Sequence, residues 1–268
     1  MPVTPAGPRP IASRYRWIIC ALLFAATSIN YVDRQIIGVL KPTLQAEFGW
    51  SESAFGDVIF WFQAAYAVGY LGFGRLVDRI GARLGYAFVV VIWSAAHIAH
   101  AFVGSIAGFV AVRVALGLGE SGNFPAGLKA IAEWFPKRER AFATGIFVAG
   151  SNVGAIVTPL IVPFITYRWG WRAAFIVTGS FSAVWLILWL KSYRRPQDHV
   201  KVSLEELAII ESDPQASGID KQRTENHLGK IIANTRDLGV RGRTILDRPD
   251  LVDVSLLAAR LLCKTPSP

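Results

Sequence analysis

The sequence predicts an all-α integral membrane protein with six transmembrane helices, and three observations support this fold class. Of the 268 residues, 53% are hydrophobic and the mean hydropathy is +0.39, which is too high for an ordinary soluble domain. Apolar stretches of about 20 residues, the length of a helix that spans a bilayer, follow one another as far as Lys191. The segments between these stretches are short and rich in basic residues. The expected solvent of this part of the chain is therefore the lipid bilayer.

Residues 1–16 precede the first apolar stretch and resemble a signal peptide at first sight, since they contain Pro and Arg. The apolar run that begins at Trp17 continues through Val39, however, and it contains Asp33 and Arg34. It also lacks a convincing small-residue cleavage site. We therefore interpret residues 1–16 as a cytoplasmic N-terminal segment and the run itself as the first span.

Six spans are predicted between residues 17 and 191. Each is expected to be a helix, because a single segment in lipid must satisfy its own backbone hydrogen bonds. Strands of a membrane barrel would be about half as long and would alternate in polarity. The predicted spans are 17–40, 54–74, 84–103, 106–128, 141–161 and 173–190.

The connections between the spans differ in charge on the two sides of the predicted bundle. Basic residues concentrate on one side, and the other side is much poorer in them. Because Lys and Arg accumulate in cytoplasmic loops, this pattern predicts a multi-pass protein of the cell inner (plasma) membrane with both ends of the six-span unit in the cytoplasm. The basic clusters are Arg9, Arg14 and Arg16; Arg75, Arg79 and Arg83; Lys137, Arg138 and Arg140; and Lys191, Arg194 and Arg195.

Composition argues against several other classes of protein. The net charge is +9, but the basic residues do not lie along one polar face, which argues against nucleic-acid binding. Two cysteines, Cys20 and Cys263, are too few for a disulfide framework or a thiolate metal site. His97 and His100 in the third span are interpreted as packing or interface residues rather than proton relays. With no catalytic triad or phosphate loop evident in the sequence, we expect no cofactor, no metal site and no enzymatic activity.

Four ionisable residues lie inside predicted spans: Asp33 and Arg34 in the first, Arg113 and Glu120 in the fourth. A charged group at the centre of a spanning helix costs ~2.5–3.5 kcal/mol on insertion scales, so each is a candidate functional group. Arg113 and Glu120 are spaced two turns apart along one helical face. A carboxylate beside an Arg in a polar cavity can exchange a proton as an anion arrives or leaves. The alternative is structural: Asp33 and Arg34 would mark a span end, and Arg113 and Glu120 would form a fixed pair.

The connection between the second and third spans has the sequence GRLVDRIGAR, from Gly74 to Arg83. Its glycines permit a tight turn, and Asp78 can cap a helix start and pair with Arg residues at a neighbouring helix end. The segment resembles the signature loop of the major facilitator superfamily. The resemblance implies a cytoplasmic latch, or gating loop, that opens and closes. Its residues are Gly74, Asp78, Arg79, Gly81 and Arg83.

Two further segments resemble the same superfamily in the same order. The segment RVALGLGE, which ends at Glu120, is similar to the fourth-span pattern, and the glycines around Gly150 are similar to the glycine-rich fifth span. Small residues allow helices to approach closely, but generic packing would explain the fifth span alone and not all three segments. The resemblance therefore implies the N-terminal six-helix bundle of a major facilitator fold over residues 17–191.

Within the superfamily, NYVDR at 30–34 and GESGNFPA at 119–126 look like the anion:cation symporter family, especially its bacterial hexuronate and galactonate carriers. By this resemblance Asp33 and Glu120 are proton-coupling residues, and Arg113 assists Glu120. The implied substrate-binding residues are Tyr31, Arg34, Tyr66, Ser151 and Asn152.

Residues 192–234 are polar and are interpreted as a cytoplasmic linker with room for one short surface helix. Residues 235–268 contain no adequate span. Shifted by one base at the Thr235 codon, however, this segment can encode an aromatic-rich apolar run that looks like the start of a seventh span. We therefore expect a single-base insertion after the Asn234 codon, and a disordered, out-of-frame tail at 235–268.

The sequence thus predicts a secondary transporter of sugar-acid anions such as hexuronate or galactonate, working by proton-coupled symport with alternating access. The chain is expected to be a truncated N-terminal half that is inactive alone. Its expected partners are the lipid bilayer, a small organic anion, a proton and the missing C-terminal half. Two alternatives stay open: a carrier of another carboxylate, and a non-transporting half that pairs with a partner chain. A polytopic membrane enzyme would need a reactive constellation at a membrane face, and none is visible in the sequence.

Overall fold

The computed structural model describes residues 14–212, and this part of the chain contains helices and no strand. The predicted all-α class is confirmed there. Residues 1–13, the end of the predicted linker and the whole predicted tail, 235–268, lie outside the described residues. The helices are α1 (Tyr15–Phe48), α2 (Glu52–Ala99), α3 (Ile106–Ser121), α4 (Asn123–Trp134), α5 (Lys137–Ser192) and α6 (Leu204–Ile210), with 3-10 turns at His100–Phe102 and Pro196–Asp198.

Three of the described helices are long and apolar enough to cross a membrane. α1 has 34 residues, α5 has 56, and α2 together with the following 3-10 turn has 51. Since about 20 helical residues suffice for one crossing of the hydrocarbon core, α2 and α5 are each long enough for two. Each of these two helices also contains a break in its backbone near the middle.

Gly81 and Gly170 divide α2 and α5 into two arms each. Their φ angles are +83° and +82°, in the left-handed region that glycine adopts without steric cost. Around Gly81 the chain folds back, since the rings of Phe73 and Phe88 lie 6.5 Å apart on the two arms. The spacing Arg-x-Gly-x-Arg surrounds both glycines, at 79–83 and 168–172, so the same turn sequence occurs twice.

The predicted fourth span, 106–128, is divided in the structure between α3 and α4 at Gly122. This interruption coincides with a close approach of α2, because a Cβ atom added to Gly122 would lie 2.3 Å from Val89 Cγ1. The next residue, Asn123, accepts a hydrogen bond from Tyr86 and donates one to Thr27. The junction of α3 and α4 is therefore tied to both α2 and α1.

Contacts between remote parts of the chain bring the start of α1, the Gly81 turn, the end of α4 and both ends of α5 to one end of the bundle. We call this end the basic end; its basic residues include Arg16, Arg83, Lys129, Arg140 and Arg195. At the opposite end, Glu47 of α1 accepts hydrogen bonds from Trp171 and Arg172, beside the Gly170 turn. The two arms of α5 therefore run in opposite directions between the two ends.

Two apolar clusters lie on either side of a polar level in the bundle. One cluster includes Leu23 of α1 and the buried Trp residues near the basic end, and the other includes Ile36 and Leu40 of α1. Between Leu23 and Ile36, α1 carries the polar residues Asn30, Asp33 and Arg34. These polar side chains are thus positioned between two apolar clusters.

Candidate functional site

Arg34 lies on α1 among three aromatic rings. Its Cζ is 5.1 Å from the ring centroid of Tyr31, 5.4 Å from that of Phe62 and 4.5 Å from that of Tyr66. At these distances a guanidinium is attracted by the ring faces, so the rings hold the cation in place. The Arg34 side chain is nevertheless 22% exposed. Arg34 is therefore a positioned cation that an anion can reach.

Glu120 on α3 is the direct partner of Arg34. Arg34 Nε donates to Glu120 Oε2 at 2.9 Å, and Glu120 is fully buried. The second carboxylate oxygen, Oε1, is buried and has no hydrogen-bond partner within residues 14–212. An ionised carboxylate inside a protein is very costly unless it is paired, so the charge of Glu120 depends on its contact with Arg34.

Arg113 is buried on the same helix, at the spacing from Glu120 that the sequence indicates. The family resemblance assigns Arg113 to Glu120, whereas the hydrogen bond that Glu120 accepts comes from Arg34. The Cζ of Arg113 lies 5.5 Å from the ring centroid of Phe62, and the described part of the chain offers no hydrogen-bond partner to its Nε and Nη2. Buried donors of this kind call for a partner, such as a water molecule or an anionic ligand.

Asp33 precedes Arg34 in sequence but faces other helices. It is fully buried, and Ser182 Oγ of α5 donates to its Oδ2 at 3.2 Å. His97 Nε2 of α2 lies 3.2 Å from its Oδ1. Successive residues of a helix point about 100° apart, which explains why Asp33 and Arg34 have different neighbours. The polar level thus holds two clusters: Arg34 with Glu120, and Asp33 with His97.

Three residues of these clusters were not assigned to the site from the sequence: Phe62, His97 and Ser182. His97 carried a usable signal, because an ionisable group within an apolar span is a functional candidate by default. Its interpretation as a packing residue agrees with its full burial, and the structure adds its contacts with Thr178 and Asp33. Phe62 and Ser182 are ordinary residues for a membrane helix, and only the packing of α1 against α2 and α5 reveals their contacts.

Ser151 and Asn152 on α5 lie apart from the hydrogen bonds of both clusters. Ser151 Oγ donates to Val148 O of its own helix at 2.7 Å, and Asn152 is exposed. Their helix comes close to α1 nearby, since a Cβ added to Gly154 would lie 2.8 Å from Tyr31 Cβ. The role of Ser151 and Asn152 in substrate binding stays a prediction.

The predicted latch residues surround the Gly81 turn at the basic end. Asp78 was expected to cap a helix start and to pair with Arg; both details are wrong. The helix continues through Asp78 to the break at Gly81, and Asp78 Oδ1 lies 3.1 Å from Nζ of Lys129 on α4. The pairing of Asp78 with a neighbouring helix is nevertheless present.

The other latch residues differ in how they are held. Arg83 Nη2 donates to Leu190 O at 2.7 Å, which ties the turn to the end of α5. Arg79 is exposed, and a Cβ added to Gly74 would meet no atom within 4 Å. The turn is therefore attached to α4 and α5 through exposed contacts at the surface of the bundle.

Within residues 14–212 no group of three or more His, Cys, Asp or Glu side chains is placed to hold a metal ion. The groups available at the polar level are two carboxyls, two guanidiniums, an imidazole and aromatic rings. Side chains of these kinds can bind anions and exchange protons.

A bundle of long apolar helices with ionisable groups buried between them is the architecture of a helical membrane transporter. The sequence profile of the Major Facilitator Superfamily matches residues 23–262, and the chain belongs to this superfamily. The match runs into residues 235–262, the segment that we expect to be out of frame, so direct sequencing is the way to determine its reading frame.

Two curated relatives carry sugar acids. The chain is 33% identical over 234 residues to the hexuronate transporter of Escherichia coli (strain K12), which covers 87% of this chain and 54% of the relative. It is 34% identical over 234 residues to the galacturonate transporter of Dickeya chrysanthemi, which covers 87% of this chain and 68% of the relative. The chain is thus homologous to transporters rather than enzymes, and it spans about half the length of the hexuronate transporter.

A solved structure shows the same fold. It is a bacterial homolog of the human lysosomal transporter Spinster, in an inward-facing and unoccupied conformation. The TM-score is 0.62 at 21% sequence identity, over 69% of this chain and 44% of that chain. At this identity the similarity establishes the fold alone.

Proposed function

We propose that this chain supplies the N-terminal, six-span half of a proton-coupled symporter for sugar-acid anions such as hexuronate or galactonate. The observation that carries the proposal is the Arg34–Glu120 pair, in which a partly exposed cation is bonded to a fully buried carboxylate. The homology to hexuronate and galacturonate transporters supports the choice of anion.

The pair couples anion and proton through competition for one cation. When a substrate carboxylate binds Arg34, Glu120 loses the partner that favours its ionised form. A buried carboxylate without a partner is costly, so Glu120 takes up a proton. When the anion leaves, Arg34 returns to Glu120 and the proton is released. Anion and proton are therefore loaded and unloaded together.

The remaining site residues have supporting roles in this proposal. Tyr31 and Tyr66 line the anion site beside Arg34. Ser151 and Asn152 donate hydrogen bonds to the sugar hydroxyls. Asp33 is a second proton-coupling carboxyl. Arg113 assists Glu120 by placing a second guanidinium in the same region, and its unpaired donors support that role.

We place the basic end in the cytoplasm of a cell whose inner membrane the chain crosses six times: once with α1, twice each with α2 and α5, and once with α3 and α4 together. The backbone breaks at Gly81 and Gly170 support six crossings rather than three. The gathering of basic residues at one end supports the orientation. In alternating access, the latch at the Gly81 turn would open and close the cytoplasmic side.

Transporters of this superfamily hold substrate between two six-helix halves near the middle of the membrane. We therefore propose that the 268-residue chain does not transport alone and that a second half is its missing partner. A single-base insertion after the Asn234 codon would account for that half being out of frame.

The test is uptake of radiolabelled galacturonate, galactonate and neutral galactose into proteoliposomes with an acidic exterior. Two proteins are compared: the 268-residue chain, and the protein encoded when the frame is restored after Asn234. We expect accumulation of the two anions by the second protein alone. Equal uptake of the neutral sugar, or preference for an unrelated carboxylate, would contradict the proposed substrate class. Uptake by the 268-residue chain alone would contradict its inactivity.

A further inference from the structure

His97 occupies a place at the polar level that the Arg34–Glu120 exchange does not use. It lies on the second arm of α2 and is fully buried. Its Nε2 is 2.8 Å from Thr178 Oγ1 and 3.2 Å from Asp33 Oδ1. One ring nitrogen therefore stands within hydrogen-bond distance of both a hydroxyl of α5 and a carboxyl of α1.

The hydrogen bonds of Thr178 determine which nitrogen of His97 carries a hydrogen. Thr178 Oγ1 donates to Ala174 O at 2.9 Å. Because a hydroxyl has one hydrogen, the ring must be the donor in its contact with Thr178. His97 is therefore protonated at Nε2. Its Nδ1 is buried and, among the residues that the structure describes, has no partner, so a second proton there would lack an acceptor.

Asp33 differs from Glu120 because, among the described residues, no guanidinium is bonded to it. Its Oδ2 accepts from Ser182 Oγ, and Trp93 Nε1 donates to the same Ser182 oxygen at 3.0 Å, which leaves the serine hydrogen for Asp33. Its Oδ1 accepts no hydrogen bond from residues 14–212 in this arrangement. A small rotation of the His97 ring would move its N–H from Thr178 towards Oδ1.

Other titratable groups reach this pair only at longer range. From the 3-10 turn after α2, the His100 ring centroid lies 6.1 Å from that of His97, and His100 Nδ1 contacts Ala96 O. From α3, Arg113 and Glu120 are buried at the same polar level, and Glu120 is bonded to Arg34. From α5 come the hydroxyls of Thr178 and Ser182. Within residues 14–212, His97 is thus the one basic side chain whose nitrogen lies within 4 Å of the Asp33 carboxyl.

We propose that His97 is a positioning residue for Asp33, sharing one N–H between Thr178 and the Asp33 carboxylate. The proposal rests on the role proposed above for Asp33 in proton coupling. When Asp33 is protonated, His97 donates to Thr178. When the proton leaves Asp33, the same N–H turns to Oδ1 and, together with the Ser182 hydroxyl, stabilises the negative charge. No proton moves onto His97, which stays neutral throughout.

An infrared titration of the purified 268-residue chain in detergent tests the proposal without substrate. The carbonyl-stretch band of protonated Asp33 is assigned by its loss in Asp33→Asn, and its intensity is followed against pH. We expect His97→Phe, which removes the donor and keeps a ring, to move the titration midpoint upwards by at least about one pH unit, a tenfold change in proton affinity. His97→Gln, which keeps an N–H donor, should restore part of the shift.

His100→Phe is the matched control, because His100 is a buried ring in the 3-10 turn that directly follows this arm, and no contact with Asp33 is seen among the described residues. We expect it to leave the midpoint unchanged. A folded His97→Phe variant with the wild-type midpoint would overturn the proposal, as would an equal shift in His100→Phe or the absence of any Asp33 titration.

A second measurement uses the wild-type chain and does not depend on the folding of any variant. Nitrogen NMR of the chain labelled with ¹⁵N-histidine reports the tautomer of each of the four histidines. We expect a neutral ring protonated at Nε2 for His97 on both sides of the Asp33 midpoint; protonation at Nδ1 would overturn the proposal. Neither measurement depends on transport, so failure of the proposed function and failure of this inference are distinguishable.

Discussion

At the scale of single residues, Arg34 is held by two kinds of contact with different consequences. The rings of Tyr31, Phe62 and Tyr66 fix its position, and Glu120 neutralises its charge. In the proposed exchange, an arriving anion replaces Glu120 while the three rings keep their positions. The close packing of α5 against α1 at Gly154 supports this arrangement, because Tyr31 lies at that contact.

Gly154→Ala should destabilise the chain. The added Cβ would lie 2.4 Å from the backbone oxygen of Ser28 and 2.8 Å from Tyr31 Cβ, so α1 and α5 must move apart. Overpacking of this kind costs about 1–3 kcal/mol. Thermal unfolding in detergent measures the loss. The control is Gly145→Ala on the same helix, where a Cβ would meet no atom within 4 Å; equal melting temperatures for both variants would contradict the packing described here.

The sequence predicted which ionisable residues lie inside the bundle better than it predicted their partners. A charged residue inside an apolar span is costly, so it is a functional candidate by default. This rule identified Asp33, Arg34, Arg113 and Glu120. Their partners were not predictable, since the face of α1 that meets α3 or α5 depends on how the helices pack. For this reason Glu120 was linked with Arg113 by resemblance, whereas it bonds Arg34 in the structure.

At the scale of helices, α6 anchors the start of α1 from the far end of the described chain. Glu206 is fully buried and accepts hydrogen bonds from the backbone N–H groups of Tyr15 and Arg16, each at 3.0 Å. It also lies 3.2 Å from Arg16 Nη1, while Arg16 Nε lies 3.0 Å from Glu139 of α5. The first N–H groups of a helix have no partner within the helix, so Glu206 satisfies two of them.

Glu206→Gln should therefore weaken the basic end. The variant removes the negative charge that faces the start of α1 and Arg16, and bonds to a charged group contribute about 1.5–3 kcal/mol. We expect lower thermal stability in detergent and faster proteolysis after residue 192. Glu205→Gln, an exposed neighbour in the same helix turn, is the control. A loss in Glu205→Gln as large as in Glu206→Gln would show that the anchor has no special role.

Acidification should weaken the contacts at the basic end, because it protonates His199. Its ring lies 4.1 Å from that of Tyr15, its Nε2 contacts Ser192 O at 3.1 Å, and Lys201 N donates to its Nδ1 at 3.2 Å. Burial lowers the pKa of His199, and the Ser192 carbonyl partly opposes this effect. A His with a lower pKa in the folded chain adds stability above its unfolded pKa of about 6.5. That stability is lost as the pH falls through the folded value.

The check is thermal unfolding at neutral and mildly acidic pH for the wild-type chain and for His199→Gln, whose side chain does not titrate. We expect a smaller acid-induced decrease in the variant. The same decrease in both proteins would assign the effect to other groups.

The helices follow from the apolar pattern, and so do two of their three interruptions. Every predicted span is helical for most of its length, because lipid leaves the backbone no alternative. The breaks at Gly81 and Gly170 fall inside the predicted connections 75–83 and 162–172, and both have the turn sequence Arg-x-Gly-x-Arg. The division at Gly122 depends on contact with α2 and has no local signal beyond the glycine itself.

At the scale of the whole molecule, the positions of the basic clusters are consistent with the alternating directions of the helices. The clusters of Lys and Arg that are separated in sequence meet at the basic end, as the alternating directions of the arms require. The ionisable residues of α1, α2 and α3 meet between the two apolar clusters. The long helices are thus apolar enough to cross a membrane, while ionisable groups are buried between them, as the proposed exchange of an anion and a proton requires.

In the proposed mechanism, Glu120 gives up Arg34 to the anion and takes a proton in return. The decisive variant is Glu120→Gln in the frame-restored protein, with anion exchange and proton-driven accumulation measured on the same proteoliposomes. Because glutamine leaves Arg34 available but binds no proton, we expect galacturonate exchange to persist and accumulation driven by the pH gradient to be lost. Accumulation at the wild-type level in Glu120→Gln would contradict this mechanism.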